Sequence, residues 1–194
     1  MTAPDGNLWF TEDGALGRIT RVGQLTQFTA GGLGLVAGGQ IAVSSDGYVW
    51  FGANHGLWRS TLSGTATEFT PNLITGGVAP ASGGSMWFTY AGTTGGSSGI
   101  SRISPTGAVT PVSDTPNACC LLDGPGGNVW FITDDITTHG VGVITPAGKV
   151  RTFTRGFGGE QITSRTMSPE SSRTSPRVQT AICGRPTWGV RSIA

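Results

Sequence analysis

Charge is scarce in this sequence. Asp, Glu, Lys and Arg make up 12 % of its 194 residues, about half the usual share. With 12 Lys and Arg against 11 Asp and Glu, the formal net charge is +1. No basic face is available to neutralise a phosphate backbone, so a nucleic-acid partner is excluded. Long apolar runs are missing too: none approaches the roughly 18 residues of a membrane helix, so a membrane is not an expected partner. Histidine is limited to His55 and His139, and cysteine to Cys119, Cys120 and Cys183. An odd cysteine count without an N-terminal leader argues against a disulfide framework, and no spacing resembles a zinc site. Without a leader the default compartment is the cytoplasm, and a truncated start would leave secretion open.

Glycine, by contrast, is abundant, at 33 residues, more than twice its average share of about 7 %. That much glycine penalises helix interiors, and it follows no collagen triplet. Glycine at turns between short strands is the remaining explanation, and the turns recur. Four tryptophans stand in matching frames: Pro4-Asp5-Gly6-Asn7-Leu8-Trp9-Phe10-Thr11-Glu12, Ser45-Asp46-Gly47-Tyr48-Val49-Trp50-Phe51, Gly83-Gly84-Ser85-Met86-Trp87-Phe88-Thr89 and Gly126-Gly127-Asn128-Val129-Trp130-Phe131. Their spacings are 41, 37 and 43 residues. After each Trp comes an apolar segment that carries Arg18, Arg59, Arg102 or, in the fourth copy, Val143. A turn ending in Gly23, Gly64, Gly107 or Gly148 follows, and then a closing strand.

The chemistry of one unit is readable. Asp-Gly or Gly-Gly before the Trp supplies the positive φ of a tight turn. Ser104-Pro105-Thr106-Gly107 and Thr145-Pro146-Ala147-Gly148 suit a type I turn followed by a bulge. A further strand fits before each Trp turn, as at Gly39 to Val43, giving four short strands in about 41 residues. A four-stranded antiparallel unit recurring at that period is a propeller blade. The fold expected is therefore all-β: a β-propeller with about four blades present over residues 1–164. An irregular β-sandwich is the alternative, but a sandwich has no reason to repeat its Trp.

The string Pro-Asp-Gly-Asn-Leu-Trp-Phe-Thr-Glu, followed by Gly-Arg-Ile-Thr and Leu-Thr-Gln-Phe-Thr, resembles the virginiamycin B lyase (streptogramin lyase) family of bacterial propellers. The likeness runs from residue 3 to about 163. It implies a ring of about seven blades and a lyase that linearises streptogramin B antibiotics by elimination at the ester, with Mg2+ bound and a small cyclic peptide antibiotic as partner. Such chemistry needs a base beside a carbonyl and a cation or acid for the leaving oxygen. The resemblance puts the base among histidines eleven positions before a blade Trp, and a glutamate three positions after it. Here the glutamate slot holds Glu12, Ala53, Tyr90 and Thr133, and the histidine slot holds Gly39, Gly76 and Cys119. In the first copy that slot falls before Met1. Glu12 is thus the one catalytic candidate, in an incomplete set.

Other candidates lie outside those slots. His55 and His139 follow the Trp strands and read as mouth-facing bases or metal ligands, or as solvated loop residues. Asp134 and Asp135 read as cation ligands, or as a solvated acidic pair. Cys119 and Cys120 read as a strained vicinal disulfide, or as reduced thiols of which one packs in the innermost strand. Met1-Thr2-Ala3 runs straight into the first motif, which leaves the first blade without an innermost strand.

Residues 165–194 change character, with five arginines and no repeat. One reading is a basic disordered tail. The other is a shifted reading frame beginning near Ser164 to Thr166. Val178 to Gly184 is compatible with GTC CAG ACG GCA ATC TGT GGT, which read from the third base gives Pro-Asp-Gly-Asn-Leu-Trp, the motif of Pro4 to Trp9. The nucleotide sequence decides between them. An open arc of blades would expose an apolar face and is expected to be poorly soluble. Three functional readings follow: a streptogramin-lyase-like enzyme, a non-catalytic propeller that binds a ligand or protein at its mouth, and a non-functional gene fragment. A sugar-lactone hydrolase is a further alternative that needs a Glu/Asn/Asp metal set this sequence does not assemble.

Overall fold

The computed structural model describes residues 1–29, 39–92, 97–115, 117–134 and 139–153, all within one compact unit, Met1–Gly158. The tail at 165–194, with its expected frame shift and Cys183, lies outside the described residues.

Fifteen strands are described, in four antiparallel sheets of consecutive strands. The first holds β1 (Leu8–Glu12), β2 (Ala15–Ile19) and β3 (Leu25–Phe28). The second holds β4 (Ile41–Val43), β5 (Val49–Ala53), β6 (Gly56–Ser60) and β7 (Ala66–Phe69). The third is β8 (Leu73–Pro80), β9 (Met86–Gly92), β10 (Ser98–Ile103) and β11 (Val109–Ser113). The fourth is β12 (Ala118–Asp123), β13 (Val129–Asp134), β14 (His139–Ile144) and β15 (Val150–Phe153). No α-helix occurs among the described residues, and none of their helices is long and apolar enough to cross a membrane. These are propeller blades, as the period predicts. The β4, β8 and β12 strands approach one another, so the first strand of each blade is innermost.

The first sheet has three strands, as the sequence leads one to expect, but a short backbone pairing stands in the innermost place. Met1–Ala3 does supply an innermost segment to the first blade. The Trp9 amide donates to Met1 O at 2.8 Å, the Met1 ammonium donates to Trp9 O at 2.7 Å, and Thr2 bridges Leu8. The register is the one seen in the other blades, where Ala42, Ala79 and Leu122 sit opposite Trp50, Trp87 and Trp130. Three residues suffice because the pairing needs only the backbone opposite Trp9.

The repeated turn is built the same way four times. The glycine amide donates to the carbonyl three residues earlier: Gly23 to Thr20, Gly64 to Thr61, Gly107 to Ser104 and Gly148 to Thr145, at 2.8–3.0 Å. All four glycines have φ between 80° and 94°, a region costly for a Cβ. Sequence reading missed the first residue of the turn. Its hydroxyl accepts the amide four residues on, from Gln24, Thr65, Ala108 and Lys149, at 3.0–3.1 Å, which explains the recurring Ser or Thr.

The core lies between blades. Trp9 packs with Val49, Phe51 and Trp58; Trp50 with Val78, Met86 and Phe88; Trp87 with Leu121, Val129 and Phe131. Each Trp is thus covered by the next blade, and their exposures are 0 %, 0 % and 2 %. Trp130 is 38 % exposed and shares its face with exposed Leu122, Ile132 and Phe153. The arginine opposite Trp9, Trp50 and Trp87 explains the second repeated signal. Arg18 lies over Trp9 and Phe28 and donates to Leu62 O at 2.9 Å; Arg59 lies over Tyr48, Trp50 and Phe69 and donates to Pro105 O at 2.7 Å. These two guanidinia thus tie their own aromatic pair to the turn of the next blade, whereas Arg102 lies over Trp87 and donates to Ser82 O within its own blade at 2.9 Å.

Candidate functional site

The blade ends that carry the glutamate slot also carry the histidine slot, because the innermost strand runs antiparallel to the Trp strand. Ala118 and Cys119 pair with Thr133 and Ile132, and Thr75 pairs with Tyr90. Residues scattered through the sequence therefore collect at one end of the innermost strands: Glu12, Gly39, Gln40, Thr75, Gly76, Tyr90, Cys119 and Thr133.

Glu12 ends β1 opposite Ala15 and is half-buried. Its Oε1 is enclosed and has no hydrogen-bond partner among the described residues. An enclosed carboxylate oxygen with no donor is a poor resting arrangement, so Glu12 is the acidic group here with acceptor capacity left over. Its neighbour Thr11 turns to the next blade and donates from Oγ1 to Gly39 O at 2.8 Å.

The centre is organised by a residue that sequence reading did not single out. The innermost strands of blades 3 and 4 each shift register, between Thr75 and Val78 and between Cys119 and Leu122. A bulge leaves backbone groups outside the ladder. Gln40 takes them up: its Oε1 accepts the Val78 amide at 3.2 Å and the Leu121 amide at 3.0 Å, and its Nε2 donates to Leu121 O. One amide side chain from blade 2 thus joins blades 3 and 4 across the axis. In blade 3 the Gly77 amide donates to Thr89 Oγ1 at 2.7 Å, while Thr75 Oγ1 is buried with no hydrogen-bond partner among the described residues. The only early signal for Gln40 is its position, directly after a histidine slot.

The remaining candidates separate. His55 is exposed in the β5–β6 turn, where its carbonyl accepts the Trp58 indole at 3.0 Å. His139 opens β14 opposite Asp134, and Asp135 lies outside the described residues. Cys119 and Cys120 are both half-buried thiols. Neither is core, because the bulge lifts them out of the packed face that Leu121 occupies.

A magnesium ion takes octahedral oxygen ligands, commonly one or two carboxylates. Glu12 offers one carboxylate, and no group of three or more His, Cys, Asp or Glu able to hold a metal occurs among the described residues. The described residues therefore do not fit the ion.

No family model and no curated protein matches the sequence. Solved structures do resemble the fold. An extracellular domain from B. thetaiotaomicron, described as part of a one-component system, is 18 % identical with a TM-score of 0.63, over 86 % of this chain and 25 % of its own. A protein described as a gluconolactonase is 14 % identical with a TM-score of 0.56, over 79 % and 68 %. A calcium-binding protein, regucalcin, from Agrobacterium tumefaciens is 18 % identical with a TM-score of 0.53, over 76 % and 55 %. All three are β-propeller proteins, and at such identities the likeness is one of fold. The chain spans about a quarter of the length of the first.

Proposed function

We propose that this chain is a run of blades from a streptogramin-lyase-like propeller, with Glu12 as the surviving catalytic-type carboxylate and no turnover of its own. The observation that carries this reading is the occupancy of the histidine slots. Gly39, Gly76 and Cys119 stand there, and neither glycine has a side chain to move a proton. Glu12 could accept a proton beside a carbonyl, but elimination at an ester also needs a group to stabilise the departing oxygen. The side chain of Gln40, which joins the inner strands of blades 3 and 4, is already engaged at both Oε1 and Nε2.

The test is incubation of the purified chain with a streptogramin B antibiotic and Mg2+, with a chelator control, read by mass spectrometry for the linearised product. The reading predicts no product above the protein-free control. Product that disappears in Glu12→Gln would show a working lyase and overturn the statement about turnover.

The second reading, a binding propeller, draws on the same mouth. Half-buried Thr11 and Glu12 stand at the strand ends beside inner strands closed by hydrogen bonds, which suits holding a ligand more than transforming one. Saturable quenching of tryptophan fluorescence by the antibiotic, without product, supports it.

A further inference from the structure

The innermost strand of blade 4 departs from strand geometry at one point, and that point carries two adjacent sulfurs. Successive side chains on a regular strand point to opposite faces, so neighbouring cysteines are normally kept apart. Here the register shift lies between Cys119 and Leu122, and Cys120 takes φ 58°. The left-handed region is unfavourable for a residue with a Cβ, and local strain of this kind clusters at functional positions. Its effect is to cancel the alternation: Cys120 Sγ donates to Cys119 Sγ at 3.2 Å. The next residue, Leu121, is fixed at both its amide and its carbonyl by Gln40, so the bulge is held in place by another blade. In blade 3 the equivalent bulge residues are Gly76 and Gly77, which shows that the bulge itself does not call for sulfur.

We propose that Cys119 and Cys120 form a redox-modification site: a vicinal dithiol at the mouth of the propeller that a small hydroperoxide closes to a disulfide. The half-burial of both residues leaves room for a small oxidant. The thiolate of one cysteine attacks a peroxide oxygen, breaking the O–O bond and forming a sulfenic acid; hydrogen peroxide then leaves a water. The second sulfur attacks the first, an S–S bond forms, and the sulfenic oxygen leaves as another water. The two thiols lose two electrons and two protons, and the peroxide takes up both. Contact between the sulfurs makes the second step intramolecular and fast relative to further oxidation.

The experiment uses the full chain carrying Cys183→Ser, so that only the pair is in play. After treatment with hydrogen peroxide, the intact mass is expected to fall by about 2 Da, with loss of both titratable thiols and recovery of both on addition of dithiothreitol. Peptide mapping should place the link between residues 119 and 120 of one chain. In Cys120→Gly, which keeps a residue suited to positive φ, the remaining Cys119 should instead gain oxygen. The proposal fails if the treated protein gains mass as sulfinic or sulfonic acid with no species of lowered mass. It also fails if the link forms between two chains, or if both thiols survive oxidant that modifies Cys119 in the Cys120→Gly protein.

Discussion

At the scale of single residues, the four tryptophans occupy equivalent positions but unequal surroundings, which makes them a natural experiment. Trp50 is fully buried, stacks on Phe69 at 5.3 Å between ring centroids, and donates its indole N–H to Ser44 Oγ at 3.1 Å. Trp130 stacks on Phe153 at 6.2 Å but stays 38 % exposed. Trp50→Ala is therefore expected to cost about 3–5 kcal/mol, and Trp130→Ala well under half of that; denaturant midpoints of the two variants decide it. Asp5 shows how polar residues position the motif. Slight desolvation pushes its pKa up, but hydrogen bonds from the Asn7 side chain and amide and from the Trp9 indole, with the charge of Arg18, outweigh that and hold it below the usual carboxylate range. A carboxyl with a lowered folded-state pKa contributes stability above the ordinary carboxylate range, and that contribution is lost as pH falls through the folded value. Asp5→Asn should thus be less stable at neutral pH and show a flatter loss of stability in acid, measured by thermal melts from pH 6 down to about 2.

At the scale of strands and turns, much was readable from the chain alone. The Trp period located the blades, and Gly23, Gly64, Gly107 and Gly148 located the outer turns, because both are local chemistry: a positive φ and a strand-forming aromatic. The Arg signal was visible, but its reason was not. Arg18 and Arg59 reach carbonyls 44 and 46 residues away in sequence, and nothing local announces such a contact. The same holds for Gln40, whose partner Leu121 is 81 residues away. The short pairing of Met1 and Thr2 with the first blade escaped notice because Met1 pairs through its backbone, which leaves no side-chain pattern. Glu12 was readable from the motif; its enclosed, unpartnered oxygen was not. Gln40 provides the test at this scale. Gln40→Ala strands the Val78 and Leu121 amides, each worth about 1–3 kcal/mol when buried and unsatisfied. With two amides stranded the variant should lose roughly 2–6 kcal/mol, while Gln40→Glu, which retains an acceptor, should lose less at acid pH, where its protonated carboxyl can also donate to Leu121 O as Nε2 does.

For the whole molecule, each blade completes its neighbour. Blades 2 and 3 are covered on both sides, by Trp9 on one side of the pair and by Val129 and Phe131 on the other. Blade 4 shows an open face of Leu122, Trp130, Ile132 and Phe153, although its ladder bonds are like those of the other blades. If stability comes from cover between blades rather than from the ladders, the blades must differ in protection despite their like hydrogen bonding. Amide hydrogen exchange read strand by strand tests that claim most directly. The expected result is slowest exchange in β5, β6, β9 and β10 and markedly faster exchange in β13 and β14. Equal protection across all of these strands would contradict it.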